Sequence, residues 1–183
     1  MFAIHTIPDA FTPAECARIV ALAHQDDLAE AGLVGRVSDH NIRRAELAWL
    51  DERAGSDWVM ERIIRLVSAV NRAAFGFDLS EFAESPQVAR YGAEREGHFG
   101  WHSDIGDGPV ARKRKLTMVV QLSAADAYDG GVLELRPDLA VRAAERWQGA
   151  AVLFPSFMLH RVTPVTRGER HSLTIWAHGP AFR

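Results

Sequence analysis

The chain is poor in cysteine and holds no long apolar run. Of its 183 residues only Cys16 is a cysteine, so no intramolecular disulfide framework can staple it. Cys16 falls in a predicted helix, where a small buried apolar residue is the ordinary reading. No uninterrupted apolar stretch approaches the ~18 residues needed to cross a bilayer. Met1-Phe2-Ala3-Ile4-His5 sets no basic residue before an apolar segment, so the expectation is a cytoplasmic protein with no membrane role. Charge of one sign is not in excess either: the net charge of −3 gives no signal for nucleic acid or another polyanion. Repeats, low-complexity tracts and linkers are missing too. With 48% hydrophobic and 25% charged residues, the chain is expected to form one domain over 1–183 with a real core.

What is there divides in character. Residues 2–7 read as a short strand, and Thr12-Pro13-Ala14-Glu15 joins an N-cap Thr, a Pro at the first helical position and a Glu three residues after the cap. The helix should reach about Gln25. Segments 32–37 and 44–50 alternate as strands. Ser56 or Asp57 should cap a second helix to about Phe75, with Val59, Ile63, Leu66, Val67 and Val70 at helical spacing. From residue 79 short apolar or β-branched runs follow one another, at 86–92, 98–104, 115–122, 131–136, 150–154, 158–163 and 170–177. Such a series means a sandwich or barrel. The expectation is an α+β layout: residues 1–78 as a helical support region packed on one sheet, and 79–183 as a β core.

His102-Ser103-Asp104, His160 and Arg170 carry the chemistry. The tripeptide pattern alone says little, because His24-Gln25-Asp26 repeats it. On the predicted helix, positions i and i+2 project away from each other, whereas on a strand they share a face. His102 and Asp104 close a strand-like run and can chelate; His24 and Asp26 cannot. A surface hydrogen-bonded pair is the plain alternative until His160, at the start of a strand after a tight turn, is added. Two His and one Asp on one side of a metal leave the other side open, as suits a non-haem Fe(II) centre that activates dioxygen.

Strand alternation sets Arg170, Ser172, Thr174 and Trp176 on one face, with Leu173 and Ile175 on the other. An inward Arg needs a carboxylate, and its fork suits the distal acid of a dicarboxylate cosubstrate. The structural alternative is an ion pair with Glu169, Glu134 or Glu145. Tyr91 is placed to add a hydroxyl to the same carboxylate or to be a plain core tyrosine. Trp101, Phe154, Phe157 and Trp176 would dry and shield the site, though ordinary core packing predicts the same residues.

Arg90-Tyr91, Phe99-Gly100-Trp101-His102-Ser103-Asp104, Arg114-Lys115-Leu116-Thr117, Gln121-Leu122-Ser123, Tyr128-Asp129-Gly130-Gly131, Phe154-Pro155-Ser156 and the run from His160 to Arg170 form an ordered series. This series resembles the 2-oxoglutarate- and Fe(II)-dependent dioxygenases, in the prolyl 4-hydroxylase-like branch. The likeness covers about Gln87 to the C-terminus; the first half resembles the family only in layout. It implies a double-stranded β-helix (jelly-roll, cupin-like) core with helices on the larger sheet. His102, Asp104 and His160 would bind Fe(II), and Arg170, with Tyr91 and Gln121, would bind 2-oxoglutarate. Trp176 and Trp101 would lie near substrate. Prolyl 4-hydroxylases often have Lys where this chain has Arg170, and the interval from Tyr91 to His102 is slightly longer than usual.

The implied activity is hydroxylation of an unactivated C–H bond, using O₂ and releasing succinate and CO₂. The substrate would be a prolyl or other peptide, a protein, a free amino acid or another small molecule. Asp104 speaks against a halogenase, which needs that ligand position for halide. Two other classes stay open: a non-catalytic metal- or 2-oxoglutarate-binding sensor, and a cupin-like metalloenzyme without 2-oxoglutarate. The basic run Arg112-Lys113-Arg114-Lys115 reads as a solvated loop or as a contact for an acidic substrate, and Arg43 and Arg44 border the expected pocket.

Overall fold

A computed structural model describes residues 4–24, 29–30, 43–50 and 55–182. The capping box at Thr12 forms: its hydroxyl accepts from Glu15 N at 3.2 Å, and Glu15 Oε2 accepts from Thr12 N at 2.8 Å. Pro13 opens helix α1 (Pro13–Ala23), and His24 is its C-cap. Helix α2 (Asp57–Val70) buries Val59, Ile63, Val67 and Val70 on one face. Ser56 stands at its cap position, yet the Ser56 hydroxyl donates to Leu50 O at 3.3 Å instead of capping the helix. The expected last turn, 71–75, widens so that Gly76 N–H donates to Asn71 O, and Gly76, at φ 66°, ends it.

The strands are β1 (His5–Ile7), β2 (Ala29–Glu30), β3 (Arg43–Arg44), β4 (Glu46–Trp49), β5 (Gln87–Gly92), β6 (His98–His102), β7 (Arg114–Gln121), β8 (Tyr128–Gly130), β9 (Leu133–Arg136), β10 (Arg142–Ala143), β11 (Ala151–Pro155), β12 (Leu159–Val162) and β13 (Val165–His178). Among the described residues they make two antiparallel sheets. The larger runs β1-β11-β7-β13-β5-β4-β2, with β8 also on β13; the smaller runs β10-β9-β12-β6-β3. This is the jelly roll expected. The segment 32–37 lies outside the described residues. The strand expected at 131–136 starts later, at Leu133, because Gly130 and Gly131 at φ 71° and 57° turn the chain between β8 and β9.

Period-2 alternation divides the larger sheet between two cores. Val88, Met118, Val120, Leu153, Leu173 and Ile175 face α1 and α2. Ala89, Val119 and Val152 face the smaller sheet, against Leu133, Leu135 and Val162. Fully burying one such side chain contributes about 1.5–3 kcal/mol, which fastens the helices to the sheet. Strands of the first half enter both sheets: β1 pairs with β11, β4 with β5, and β3 with β6. The cleft that follows therefore draws on both halves of the chain.

Candidate metal centre and its cleft

β6 and β12 pair with His160 opposite His102, and Val162 opposite Phe99. Three steps along β6 thus match two along β12, a bulge at Gly100 and Trp101. The bulge brings Phe99 to the same face as His102, where the rings stack at 3.5 Å and 15°. β6 ends at His102, so Asp104 reaches that face from the loop beyond. Asp104 N donates to Ser156 O at 2.8 Å, and Arg114 Nη1 donates to Asp104 O at 3.0 Å. These two bonds hold the loop against β7 and β11.

His102, Asp104 and His160 are, among the described residues, the only His, Cys, Asp or Glu group able to hold a metal, with donor atoms within 4.8 Å of one another. Asp104 Oδ1 lies 3.7 Å from His102 Nε2, and Oδ2 lies 3.5 Å from His160 Nε2. Each Nδ1 faces a backbone carbonyl, Gly100 O at 2.7 Å and Met158 O at 2.9 Å. A carbonyl only accepts, so Nδ1 carries the proton and Nε2 keeps its lone pair for a metal. Burial, then the neighbouring His160, push the His102 pKa down to about 4 against the pull of Asp104, so the imidazole is neutral near pH 7. Burial would raise the Asp104 pKa, but His160, His102 and the Thr117 hydroxyl outweigh it and hold the carboxyl ionised. Two imidazoles and one carboxylate are the donors a divalent iron accepts.

Thr117 has no exposed surface. Its hydroxyl donates to Asp104 Oδ2 at 2.7 Å and lies 3.0 Å from Ser156 Oγ. Arg114 lies over the Trp176 ring at 3.9 Å and pairs with Glu84, through Nε at 2.7 Å and through Nη2. Glu84 also meets His178 Nε2 at 3.0 Å. The basic run is therefore structural where it enters the strand: Arg114 is buried as the first residue of β7, and Lys115 lies over the Phe182 ring.

The cleft is lined by the three donors and by Arg43, Gln87, Tyr91, Phe99, Arg170 and Trp176 among others. Ser172 and Thr174 line it as well, while Leu173 and Ile175 face the helices, as alternation on β13 requires. Arg170 is 1% exposed. Glu134 pairs with Arg161 and Glu169 with Arg90. Arg170 instead donates to Gln121 Oε1 at 2.9 Å and Ser172 Oγ at 3.3 Å, and its Nε has no partner. A buried guanidinium without a carboxylate suits an acid brought in by a ligand. Tyr91 sits opposite Arg170 across β5 and β13, its ring 5.4 Å from the guanidinium.

Gln121 is set behind Arg170 and is absent from the cleft wall. Trp101, turned outward by the bulge, is 37% exposed and lies against Arg161, away from the cleft. Phe157 packs on Phe182. Phe154, 4.8 Å from His160, and Phe99 are the rings that cover the donors. His24 caps α1 and meets His171 at 5.4 Å, while Asp26 lies outside the described residues. Arg43, expected to border the pocket, does line it. Phe99 and Thr117, beside the donors, are the side chains to which sequence reasoning gave no role; a buried Thr in the middle of a strand is the one signal for Thr117.

A family model described as the 2OG-Fe(II) oxygenase superfamily matches residues 86–178. A PKHD-type hydroxylase of Bordetella pertussis is 32% identical over 179 residues, covering 93% of this chain and 76% of that protein. A PKHD-type hydroxylase of Paraburkholderia phymatum is 31% identical over 185 residues, 94% and 77% of the two chains. Among solved structures, a Pseudomonas putida prolyl-4-hydroxylase superposes with a TM-score of 0.80 at 23% identity, over 98% of this chain and 94% of that one. A Trichoplax adhaerens prolyl hydroxylase, solved with a hypoxia inducible factor oxygen degradation domain peptide fragment, superposes at 0.79 and 21%, over 96% and 83%. The chain shares the fold of the prolyl hydroxylases; it belongs to the 2OG-Fe(II) oxygenase superfamily, with PKHD-type hydroxylases as relatives, and is a hydroxylase that uses Fe(II), 2-oxoglutarate and O₂.

Proposed function

We propose that this enzyme hydroxylates an unactivated C–H bond of a prolyl, peptidyl or amino-acid substrate, with succinate and CO₂ as coproducts. His102 and His160, through Nε2, and Asp104 hold the iron, which when bound supplies the redox chemistry of O₂ activation and C–H oxidation. Arg170 takes the distal carboxylate of 2-oxoglutarate, with the Tyr91 hydroxyl as a second donor. One observation carries this reading: Arg170 is buried in the same cleft as the donors, with no carboxylate of the described chain to neutralise it. A dicarboxylate cosubstrate removes that penalty.

The chain's own residues do the positioning. Gly100 O and Met158 O fix both imidazoles in the ligating tautomer. Thr117 takes one lone pair of Asp104 and aims the rest of the carboxylate at the histidines. Gln121 orients the Arg170 fork without neutralising it. Phe99, Phe154 and Trp176 exclude water, which strengthens each charge contact within the cleft. The prolyl hydroxylases that share this fold support a prolyl or peptidyl substrate. Membership of an oxygenase family speaks against a sensor module, and the unpaired Arg170 against a cupin-like enzyme that does without 2-oxoglutarate.

The test is anaerobic assembly with Fe(II) and 2-oxoglutarate, then oxygen, with succinate measured across peptides and amino acids. A weak visible charge-transfer band before oxygen, and succinate above that of a His160→Ala control, are expected. Absence of both overturns the proposal.

A further inference from the structure

We infer that Arg43 binds substrate and that the substrate presents a carboxylate to it; this rests on the function proposed above. Arg43 lies on β3 opposite Phe99 of β6 and lines the cleft. Its guanidinium sits 4.6 Å from the centre of the Phe99 ring, and that ring stacks on His102. Nη2 donates to Gln87 Oε1 at 2.9 Å, and Nε is buried with no partner. Among the described residues no carboxylate pairs with Arg43. Its neighbour Arg44 turns the other way and pairs with Glu96 at 3.3 Å on the surface.

Charge completes the argument. Bound iron(II) and Arg170 together would balance Asp104 and a 2-oxoglutarate dianion, so among the described residues Arg43 is the charge left over in the cleft. The basic run does not change that balance: Arg114 pairs with Glu84, Lys113 lies 4.0 Å from Glu81, and Lys115 sits over Phe182. An aromatic ring and a neutral amide hold Arg43 in place and leave Nε–H for a ligand. A planar, partly desolvated guanidinium so fixed is a carboxylate receptor, because two parallel charge-assisted bonds reward an acid far more than an amide. Phe99 stands between Arg43 and His102, so the oxidised carbon lies a few bonds from that carboxylate. The acid is either the α-carboxylate of an amino acid or chain end, or an acidic side chain near the oxidised residue.

Two matched pairs distinguish these sources: N-acetylproline against N-acetylprolinamide, and the amidated dipeptide acetyl-prolyl-glutamyl amide against acetyl-prolyl-glutaminyl amide. Each is titrated into full-length protein loaded with diamagnetic Zn(II) and 2-oxoglutarate, reading the arginine Nε–H resonances. Arg43→Met assigns the Arg43 signal, and 2-oxoglutarate affinity checks that each variant is folded. The acid of at least one pair should shift the Arg43 signal saturably and bind about tenfold or more tightly than its amide. Arg43→Met should erase that preference, and Arg43→Lys should retain part of it, both with 2-oxoglutarate affinity unchanged. If neither acid outbinds its amide, or the preference survives Arg43→Met, the inference is overturned. Failure of the hydroxylase reading looks different: 2-oxoglutarate would not bind at all.

Discussion

Arg170 and Gln121 are 49 residues apart in the chain, yet Arg170 Nη2 donates to Gln121 Oε1 at 2.9 Å inside the larger sheet. The amide orients the guanidinium and leaves its charge intact. Gln121→Glu, nearly the same shape, should close an internal ion pair and weaken 2-oxoglutarate binding by about 10–100-fold, the equivalent of one or two charge-assisted hydrogen bonds. Arg170→Ala should weaken it at least as far. Calorimetric titration of 2-oxoglutarate measures both; unchanged affinity in either variant removes Arg170 from the cosubstrate site.

Thr117→Val keeps the volume and deletes the donor to Asp104 Oδ2. Outer partners of metal ligands typically govern affinity by about 10–100-fold. Iron binding should weaken by that order while the thermal midpoint of the metal-free protein moves much less. Competition against a chelator reads the first quantity and a melt of the metal-free protein the second.

Gly131 has φ 57°, and a Cβ there would lie 2.9 Å from Val165 Cγ2 and 3.0 Å from Arg170 Cδ. Gly131→Ala combines a left-handed backbone with a push on the Arg170 stem, at about 1–2 kcal/mol in stability. The KM for 2-oxoglutarate should rise with it. A loss of stability with an unaltered KM would show that Arg170 does not depend on this contact.

Glu84 is held near pKa 2: burial opposes this, but His178 and Arg114 outweigh it. A carboxyl depressed from its ordinary 4.5 contributes stability above pH 4.5, which is lost as the pH falls toward 2. Glu84→Gln should therefore be less stable than wild type at pH 7, by about 1–3 kcal/mol for one buried partner removed. The gap should close between pH 4.5 and 2. Urea melts of the two proteins across that range provide the comparison; a gap independent of pH would assign the loss to packing.

Much of this was legible in residue types and periods. Thr12 to Glu15 announces α1 because a capping box is local chemistry. Alternation from Arg170 to Trp176 identifies the inward face because a strand allows only two. What escaped depends on chain segments far apart. The Phe99 position follows from a bulge, invisible in a run that alternates regularly, and the same bulge turns Trp101 outward. Arg114 reads as part of a solvated basic loop until Glu84 and His178 meet it in space. Ser56 stands where a cap should be, yet its hydroxyl finds Leu50 O instead.

The centre of the larger sheet is occupied by β13, the last in chain order among the described strands, between β7 and β5. Both flanking strands are made long before it, and each needs it to close its ladder. During synthesis the segments bearing His102, Asp104 and His160 emerge first, with the seat of β13 still open and its apolar neighbours exposed. Long-range pairing of this kind is slow and prone to aggregation. A nascent chain stalled before β13 would leave both strand edges open, the state that chaperones bind.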